Sequence, residues 1–401
     1  PVPPLTRNLS RPYSASKGLD DKHIALWGSH GLYFKQDEER WRWQRARLWT
    51  TVEDLYTTSY LHSFLVPMLE NAGAVVLQPR ERDIQTEEII VDDTEAKTTA
   101  EQPWTQTDDY GWGNPPYPLT EGQNPFRMGH YKQAPCKNGV QMVYTPSVTK
   151  AGNYAVYISY KSLKNSTQHA RYTIVHHGQT THFEVNQQMG GGTWIYLGTF
   201  YFGTDKQDNY IALCANQEEG TVLTADAVRL GGGMGSIARQ PLGGNTLNPA
   251  TVSGYPRFME GARYYMQYSG IPDSVYNFSK GKNDYTDDFA SRGRWVNYLC
   301  GGSVANPKAT TGLHIPIHLA LALHSDAGTT MNDEIIGTLG IYTDYDNDKY
   351  TTFPAGGSRQ CNRDLTDYLQ TQMVQDIQRT VCPQWVRRGL KNASYSETRN
   401  P

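Results

Sequence analysis

Residues 23–31 read HIALWGSHG, and this segment decides the fold. Its first five residues suit a short strand, and a glycine-flanked loop carrying His30 follows at once. Ligands of open α/β sheets sit at the carboxyl ends of strands, so the position of this histidine favours a functional site. A loop histidine that caps a neighbouring backbone group would give the same pattern, and both interpretations stay open.

A helix and a second strand follow this segment. Apolar residues at helical spacing over 61–72 predict a helix, and Gly73 is a natural C-terminal cap. Thr51 is placed to cap the start of the helix, and Pro67 should kink it because proline removes one hydrogen bond. Residues 74–77, which read AVVL, predict the next strand. The order strand, helix, strand argues for a parallel sheet.

The middle of the chain has a different character. Helical periodicity fades between residues 104 and 235, and several short alternating segments separated by turn signals indicate an antiparallel β-sandwich. The α/β pattern then returns, with a helix predicted at 256–268 and an apolar strand at 315–323. The predicted organisation is therefore an α/β domain at 1–103 and 236–401, with a sandwich inserted at 104–235. The alternating segments are 153–160, 170–175, 181–185 and 193–202.

Three short segments could meet around one metal ion. They contribute His30, Glu53 at the start of the predicted helix, and His324 after the apolar run 319–323. Two imidazoles, one carboxylate and one open position form the ligand set of a hydrolytic zinc site. Glu53 could equally be an acid favoured by the helix dipole. His318 could share the strand face of His324, but we expect a buried, hydrogen-bonded histidine there rather than a fourth ligand.

Composition narrows the class of protein. The chain has 401 residues, enough for two domains, and a formal net charge of -3 that gives no sign of nucleic acid binding. Its 27 Tyr and 9 Trp suit an exported protein rich in loops and β structure, and some of them could line a sugar-binding surface. No apolar run approaches the roughly 20 residues of a membrane span. The first residue is Pro1, which a cleaved signal peptide or trimming would explain.

Residues 10–100 and 240–400 resemble zinc-dependent N-acetylmuramoyl-L-alanine amidases, in the Bacteroidetes branch described as xanthan lyase-like. The resemblance implies an amidase-type mixed or parallel sheet flanked by helices. The chain departs from the family at Ser29, where glycine is usual, and after His324, where Ala-Asn is usual. The phrases that carry the resemblance are Gly28-Ser29-His30-Gly31, Trp43-Gln44-Arg45, Glu53-Asp54-Leu55-Tyr56, Pro79-Arg80-Glu81-Arg82-Asp83 and His324-Ser325-Asp326-Ala327-Gly328.

The insert resembles the golvesin C-terminal-like domain, a β-sandwich related in style to carbohydrate-binding modules. His176 and His177 look like a metal motif, but adjacent strand residues face opposite sides, so we expect structural roles for them. Asp226 and Arg229 are expected to brace the return crossing. The matching phrases are residues 172–178, 185–187, 191–194, 197–200 and 225–229.

The amidase resemblance implies a function as well as a fold. It implies Zn²⁺ on His30, Glu53 and His324, and hydrolysis of the amide between N-acetylmuramic acid and L-alanine in peptidoglycan. The protein would then be exported, to the periplasm or cell envelope or to the medium. The insert would help to position glycan or gate the cleft.

The resemblance does not decide which residue is the general base. In the amidase family it is a glutamate on a strand after the last helix, and the chain reaches Pro401 before such a strand occurs. Glu397 is the nearest carboxylate and the candidate catalytic residue, and the alternative is a base beyond Pro401. A catalytically incomplete cell-wall or glycan-binding protein with an amidase fold is therefore a second hypothesis. A polysaccharide lyase is a weaker third, because no feature specifically argues for it.

Overall fold

The structure is a computed structural model, and it describes residues 2–16, 18–48, 50–98, 103–242, 249–325, 332 and 334–401. Asp326, Ala327 and Gly328 of the predicted motif lie outside the described residues. The helices are α1 Glu53–Tyr60, α2 Val66–Asn71, α3 Ala262–Tyr268, α4 Asp273–Tyr276, α5 Asp284–Cys300, α6 Gln360–Thr380 and α7 Ser396–Arg399. The strands are β1 Thr6–Asn8, β2 His23–Trp27, β3 Leu32–Lys35, β4 Arg40–Trp43, β5 Arg47–Leu48, β6 Thr51–Val52, β7 Val75–Leu77, β8 Ile89–Val91, β9 Thr105–Gly111, β10 Gly129–Pro135, β11 Gln141–Tyr144, β12 Gly152–Ile158, β13 Ala170–His176, β14 Gln179–Val185, β15 Ile195–Phe202, β16 Tyr210–Cys214, β17 Val222–Ala225, β18 Val228–Leu230, β19 Ile317–Ala322, β20 Ile341–Tyr342 and β21 Lys391–Asn392.

A parallel sheet of three strands, in the order β19-β2-β7, carries the predicted strand, helix, strand unit. All five residues of β2 are buried, as expected for a central strand covered on both faces. Ile24 and Leu26 pack on the side of the helix that follows, in a cluster with Leu61. Ala25 and Trp27 face the opposite side and join the main core. The parallel pairing is confirmed, whereas a larger amidase-type sheet stays a prediction.

The helix after β2 is interrupted where the sequence predicted a kink. A π-helical turn, Leu61–Leu65, separates α1 from α2, and Pro67 lies at the start of α2. Proline has no N–H to donate, and the wider turn accommodates this loss. Gly73 follows the helix with φ +107, as its predicted cap role requires. The predicted cap at Thr51 is wrong, because the helix begins at Glu53 and Thr51 belongs to β6.

The predicted helix at 256–268 is wrong over its first half. A 3-10 turn at Arg257–Met259 precedes α3, and the chain is extended between them. Gly261 N donates to Leu32 O at 2.8 Å, so the backbone pairs with the end of the β2–β3 loop instead of continuing a helix. This pairing places Glu260 beside Gly31, in the loop that carries His30.

Antiparallel sheets dominate the rest, and no closed barrel forms within the described ranges. One sheet has the order β1-β14-β13-β16-β11 and a second has the order β15-β12-β18-β8; their buried side chains share one core. The predicted sandwich strands are therefore present. Two strands outside the predicted insert also join it, since β1 pairs with β14 and β8 pairs with β18.

Buried polar side chains tie the sandwich to the parallel sheet. Asp226 accepts hydrogen bonds from Trp112 N at 2.9 Å and from Ser159 Oγ at 2.8 Å, within the sandwich. The side chain of Arg229 extends from β18 and donates to Glu81 Oε2, just after β7, at 2.7 Å, and both side chains are fully buried. Arg229 therefore braces the return crossing as the sequence predicted, whereas these hydrogen bonds of Asp226 stay within the sandwich.

Candidate metal centre

His30 is delivered by the loop that ends β2. Gly31 lets this loop lie against the backbone, because a Cβ there would be 2.7 Å from Glu260 O. Ser29 replaces the usual glycine of the resemblance, and its hydroxyl lies 2.8 Å from Thr57 Oγ1 in α1. The serine thus fixes the loop to the helix that carries Glu53. His30 is buried at this junction.

Glu53 is the first residue of α1, and its side chain is only 1% exposed. Its Oε1 accepts a hydrogen bond from Ser325 N at 3.0 Å, beside the end of β19. Burial alone would raise the pKa of this carboxyl, but contacts with His324 and Ser325 lower it. A buried carboxylate held ionised by its neighbours is suited to bind a cation.

His324 lies two residues past the end of β19 and meets two carboxylates. Its Nδ1 is 3.4 Å from Glu53 Oε1, and its Nε2 is 2.8 Å from Glu397 Oε2. Burial lowers the pKa of the imidazole, but the hydrogen bonds to Glu397 and Glu53 outweigh it and raise the pKa to about 9. Both ring nitrogens are therefore engaged by acids.

The structure brings the three sequence-predicted residues together. His30, Glu53 and His324 each offer one ligand atom, and these atoms all lie within 4.8 Å of one another. Two ligand atoms on a tetrahedral zinc lie roughly 3.3–3.6 Å apart. The separation of 3.4 Å between Glu53 Oε1 and His324 Nδ1 has this value. The geometry and the donor types fit a metal, and the identity of the metal stays a prediction.

A cationic side chain lies against this group of ligands. Arg45 donates from Nε to Glu53 Oε2 at 3.3 Å, and its Nη2 is 2.9 Å from His30 Nε2. Its side chain is 35% exposed, so it borders the mouth of the site. The guanidinium thus bridges two of the three predicted ligands, in a place where positive charge is already favoured by Glu53.

Helix α5 supplies residues that sequence reasoning missed. Arg292 is fully buried; its Nη2 donates to Asp288 Oδ2 at 2.6 Å and lies 3.0 Å from His30 Nδ1. Burial, and then the charge of Arg292, lower the pKa of His30 far below its ordinary value. A neutral imidazole is the form that binds metal. The spacing of Asp288 and Arg292 on one helix face was the available signal, but it does not specify their partner.

Glu397, the predicted catalytic carboxylate, also reaches the site. Gly293 of α5 permits the close approach of α7, because a Cβ there would lie 2.6 Å from Ser396 O. Glu397 Oε1 accepts hydrogen bonds from Trp27 Nε1 at 2.7 Å and from Arg292 Nη1 at 2.9 Å. These donors and His324 outweigh burial and lower the pKa of Glu397 to about 2.

The remaining candidate histidines lie elsewhere. His318 is exposed on β19, and its Nδ1 accepts a hydrogen bond from His23 N at 3.1 Å. It is hydrogen-bonded as expected, but the prediction that it is buried is wrong, and it is not part of the ligand group. His176 ends β13 and contacts Thr181 Oγ1 at 3.2 Å, whereas His177 lies in the following turn with φ +49. The prediction that both histidines lie on one strand is therefore wrong for His177, and neither belongs to the ligand group among the described residues.

One segment of the chain matches a known protein family. Residues 89–232 match the Golvesin C-terminal domain family, a range that overlaps the predicted insert and begins at β8. A solved structure of a Paenibacillus xanthan lyase, at 2.6 Å resolution, is 24% identical with a TM-score of 0.27. That match covers 37% of this chain and only 13% of the lyase chain. No curated protein matches this chain.

The family match supports the coarser sequence predictions. Golvesin-like domains occur in extracellular proteins, which favours an exported protein, and the match hints at glycan contact. Within the described part of the chain, none of the helices combines the length and the apolar character that crossing a membrane requires. These comparisons give no evidence about amidase activity, zinc binding or a peptidoglycan substrate.

Proposed function

We propose that this protein is an exported, zinc-dependent hydrolase that cleaves the amide between N-acetylmuramic acid and L-alanine of peptidoglycan. The observation that carries the proposal is the convergence of His30, Glu53 and His324 from three distant parts of the sequence. The resemblance of the flanking segments to N-acetylmuramoyl-L-alanine amidases supplies the substrate class. The golvesin-type domain supports contact with a cell-surface glycan.

Each residue of the site has a part in this proposal. His30, Glu53 and His324 would hold the ion, and zinc bound there would act as a Lewis acid toward a carbonyl and a water. Arg292 lies 3.0 Å from His30 Nδ1 on the buried side, and its charge helps to keep this imidazole neutral, the form that binds metal. Arg45 borders the open side, where its positive charge suits the oxygen that gains negative charge during amide hydrolysis.

The decisive experiment combines metal analysis with a cleavage assay. Purified protein should contain about one zinc per chain and should release stem peptides from muropeptides. Protein that binds zinc and peptidoglycan but cleaves no amide would instead favour the second candidate function, a glycan-binding protein of the cell envelope. The Golvesin C-terminal domain match at 89–232 is the observation that favours this second candidate. Absence of zinc binding would contradict the proposed hydrolase.

Replacing Arg45 with alanine is expected to tighten zinc binding. The guanidinium competes with the ion for Glu53 and His30, so its removal should raise zinc affinity by about tenfold, equivalent to roughly 1.4 kcal/mol. Competition titration with a chromophoric chelator measures the change. Arg42→Ala is the matched control, because Arg42 lies on the nearby strand β4 and pairs with Glu38 at 2.6 Å. Equal or weaker zinc affinity in Arg45→Ala would contradict the competition.

A further inference from the structure

Three donors surround the Glu397 carboxylate beside the predicted ligands. Its Oε1 accepts from Trp27 Nε1 at 2.7 Å and from Arg292 Nη1 at 2.9 Å, while its Oε2 is 2.8 Å from His324 Nε2. The donors come from β2, α5 and the end of β19. The carboxylate therefore joins three elements that support the site, and its side chain is only 18% exposed.

We infer that Glu397 is a positioning residue that orients His324 for metal binding, and that it is not the general base. A carboxylate is an acceptor, so the 2.8 Å contact requires the ring hydrogen of His324 to sit on Nε2. In the neutral imidazole, the form that binds metal, the lone pair is then left on Nδ1, which faces Glu53 Oε1 at 3.4 Å. Metal-binding histidines commonly have their second nitrogen fixed in this way by a carboxylate. The inference rests on the proposed metal site.

The position of Glu397 argues against proton abstraction from a water. A general base must lie within hydrogen-bond reach of the water, on the open side of the ligand group. Glu397 contacts the Nε2 edge of His324, whereas Glu53 faces the Nδ1 edge of the same ring. The imidazole thus stands between the carboxylate and the predicted metal position. Both oxygens of Glu397 are also engaged, with three donors around them.

Arg292 extends the support from one histidine to the other. Its Nη1 donates to Glu397 Oε1, and its Nη2 lies 3.0 Å from His30 Nδ1. Asp288 holds the same guanidinium through a 2.6 Å contact, one helical turn away on α5. Glu397 thus contacts His324 directly and Arg292 beside His30, so a change at Glu397 is expected to affect the surroundings of both imidazoles.

Replacing Glu397 with glutamine tests the inference directly. Glutamine offers one acceptor oxygen to three donors, and its amide adds hydrogens of its own. We expect zinc affinity to fall by about 10–100-fold, the usual cost of losing such a partner. In zinc-loaded protein, where zinc on Nδ1 keeps the ring hydrogen on Nε2, ¹H–¹⁵N NMR should also show the Nε2–H proton of His324 move upfield and exchange faster with water, because its hydrogen bond to a carboxylate is lost. His324→Ala identifies the resonance, and Glu87→Gln, an exposed carboxylate, is the matched control.

A second variant guards against simple misfolding. Glu397→Ala leaves space for a small carboxylate, so added acetate should restore both zinc affinity and the downfield Nε2–H signal. Unchanged zinc affinity and Nε2–H signal in Glu397→Gln, with amide cleavage lost, would identify Glu397 as the base and overturn the inference. Wild-type protein that binds zinc but leaves muropeptides intact would overturn the amidase proposal alone, because the affinity and NMR measurements do not depend on turnover.

Discussion

Substituting His324 with alanine is expected to abolish zinc binding, from about one zinc per chain to nearly none at micromolar protein. His324 meets Glu53 through Nδ1 at 3.4 Å, and His30 is the only other histidine of this ligand group among the described residues. Only His30 and Glu53 would remain, and catalytic zinc sites rely on three protein ligands. Glu53 would also lose the histidine that helps to keep it ionised. Amide hydrolysis should disappear together with the metal.

The matched control for this variant lies on β19, the strand that leads to His324. His318→Ala removes an imidazole that is exposed and bonded to His23 N, six residues before His324 in the chain. Its zinc content should equal that of the wild type. Metal content is measured by inductively coupled plasma mass spectrometry after gel filtration. Full zinc occupancy in His324→Ala would reject the ligand assignment, and zinc loss in both variants would point to a general loss of structure.

The two histidines of the ligand group could be predicted from local sequence. His30 and His324 come directly after apolar strands, and parallel strands bring their carboxyl ends to one edge of a sheet. Glu53 needed the family resemblance as well, because an acid at the start of a helix is common for other reasons. The parallel register of β19 with β2 then places all three together.

The residues around the ligands could not be predicted in the same way. Arg292 is separated from His30 by 262 positions, and its helix α5 presents other charged residues that local sequence does not distinguish from it. Arg45 lies in an exposed hairpin region, where an arginine is ordinarily solvated. Their roles depend on how distant elements pack. Tertiary contacts of this kind leave no periodic signal in the sequence.

Tertiary pairing also explains where the element boundaries were missed. Residues 256–268 have helical spacing, but the backbone at Gly261 pairs with Leu32, so the helix begins only at α3. Strand β1, near the amino terminus, completes the sandwich sheet beside β14. A three-residue strand has too few positions to show alternation. The predicted boundaries at 104 and 235 therefore describe the insert by composition, whereas strand pairing includes elements beyond them.

The buried pair of Glu81 and Arg229 is expected to give the largest effect on stability. Arg229 has one acceptor, Glu81 Oε2 at 2.7 Å, and its Nε and Nη2 have no hydrogen-bond partner among the described residues. The guanidinium also lies 3.8 Å from the ring centroid of Tyr157. Glu81→Gln leaves this charge buried without its counterion. Breaking a buried pair in this way costs about 3–5 kcal/mol, so the free energy of unfolding should fall by that amount.

Urea denaturation followed by tryptophan fluorescence measures the loss, and Glu87→Gln is the matched control. Glu87 is an exposed carboxylate six residues further along the chain, so its substitution should change the unfolding free energy by less than about 0.5 kcal/mol. The double variant Glu81→Gln with Arg229→Met removes both charges and should be more stable than Glu81→Gln alone, because no unpaired charge remains buried. A loss below about 1 kcal/mol in Glu81→Gln, or a double variant less stable than the single one, would contradict this account. Since Glu81 follows β7 and Arg229 belongs to β18, the experiment measures how strongly the parallel sheet is coupled to the sandwich.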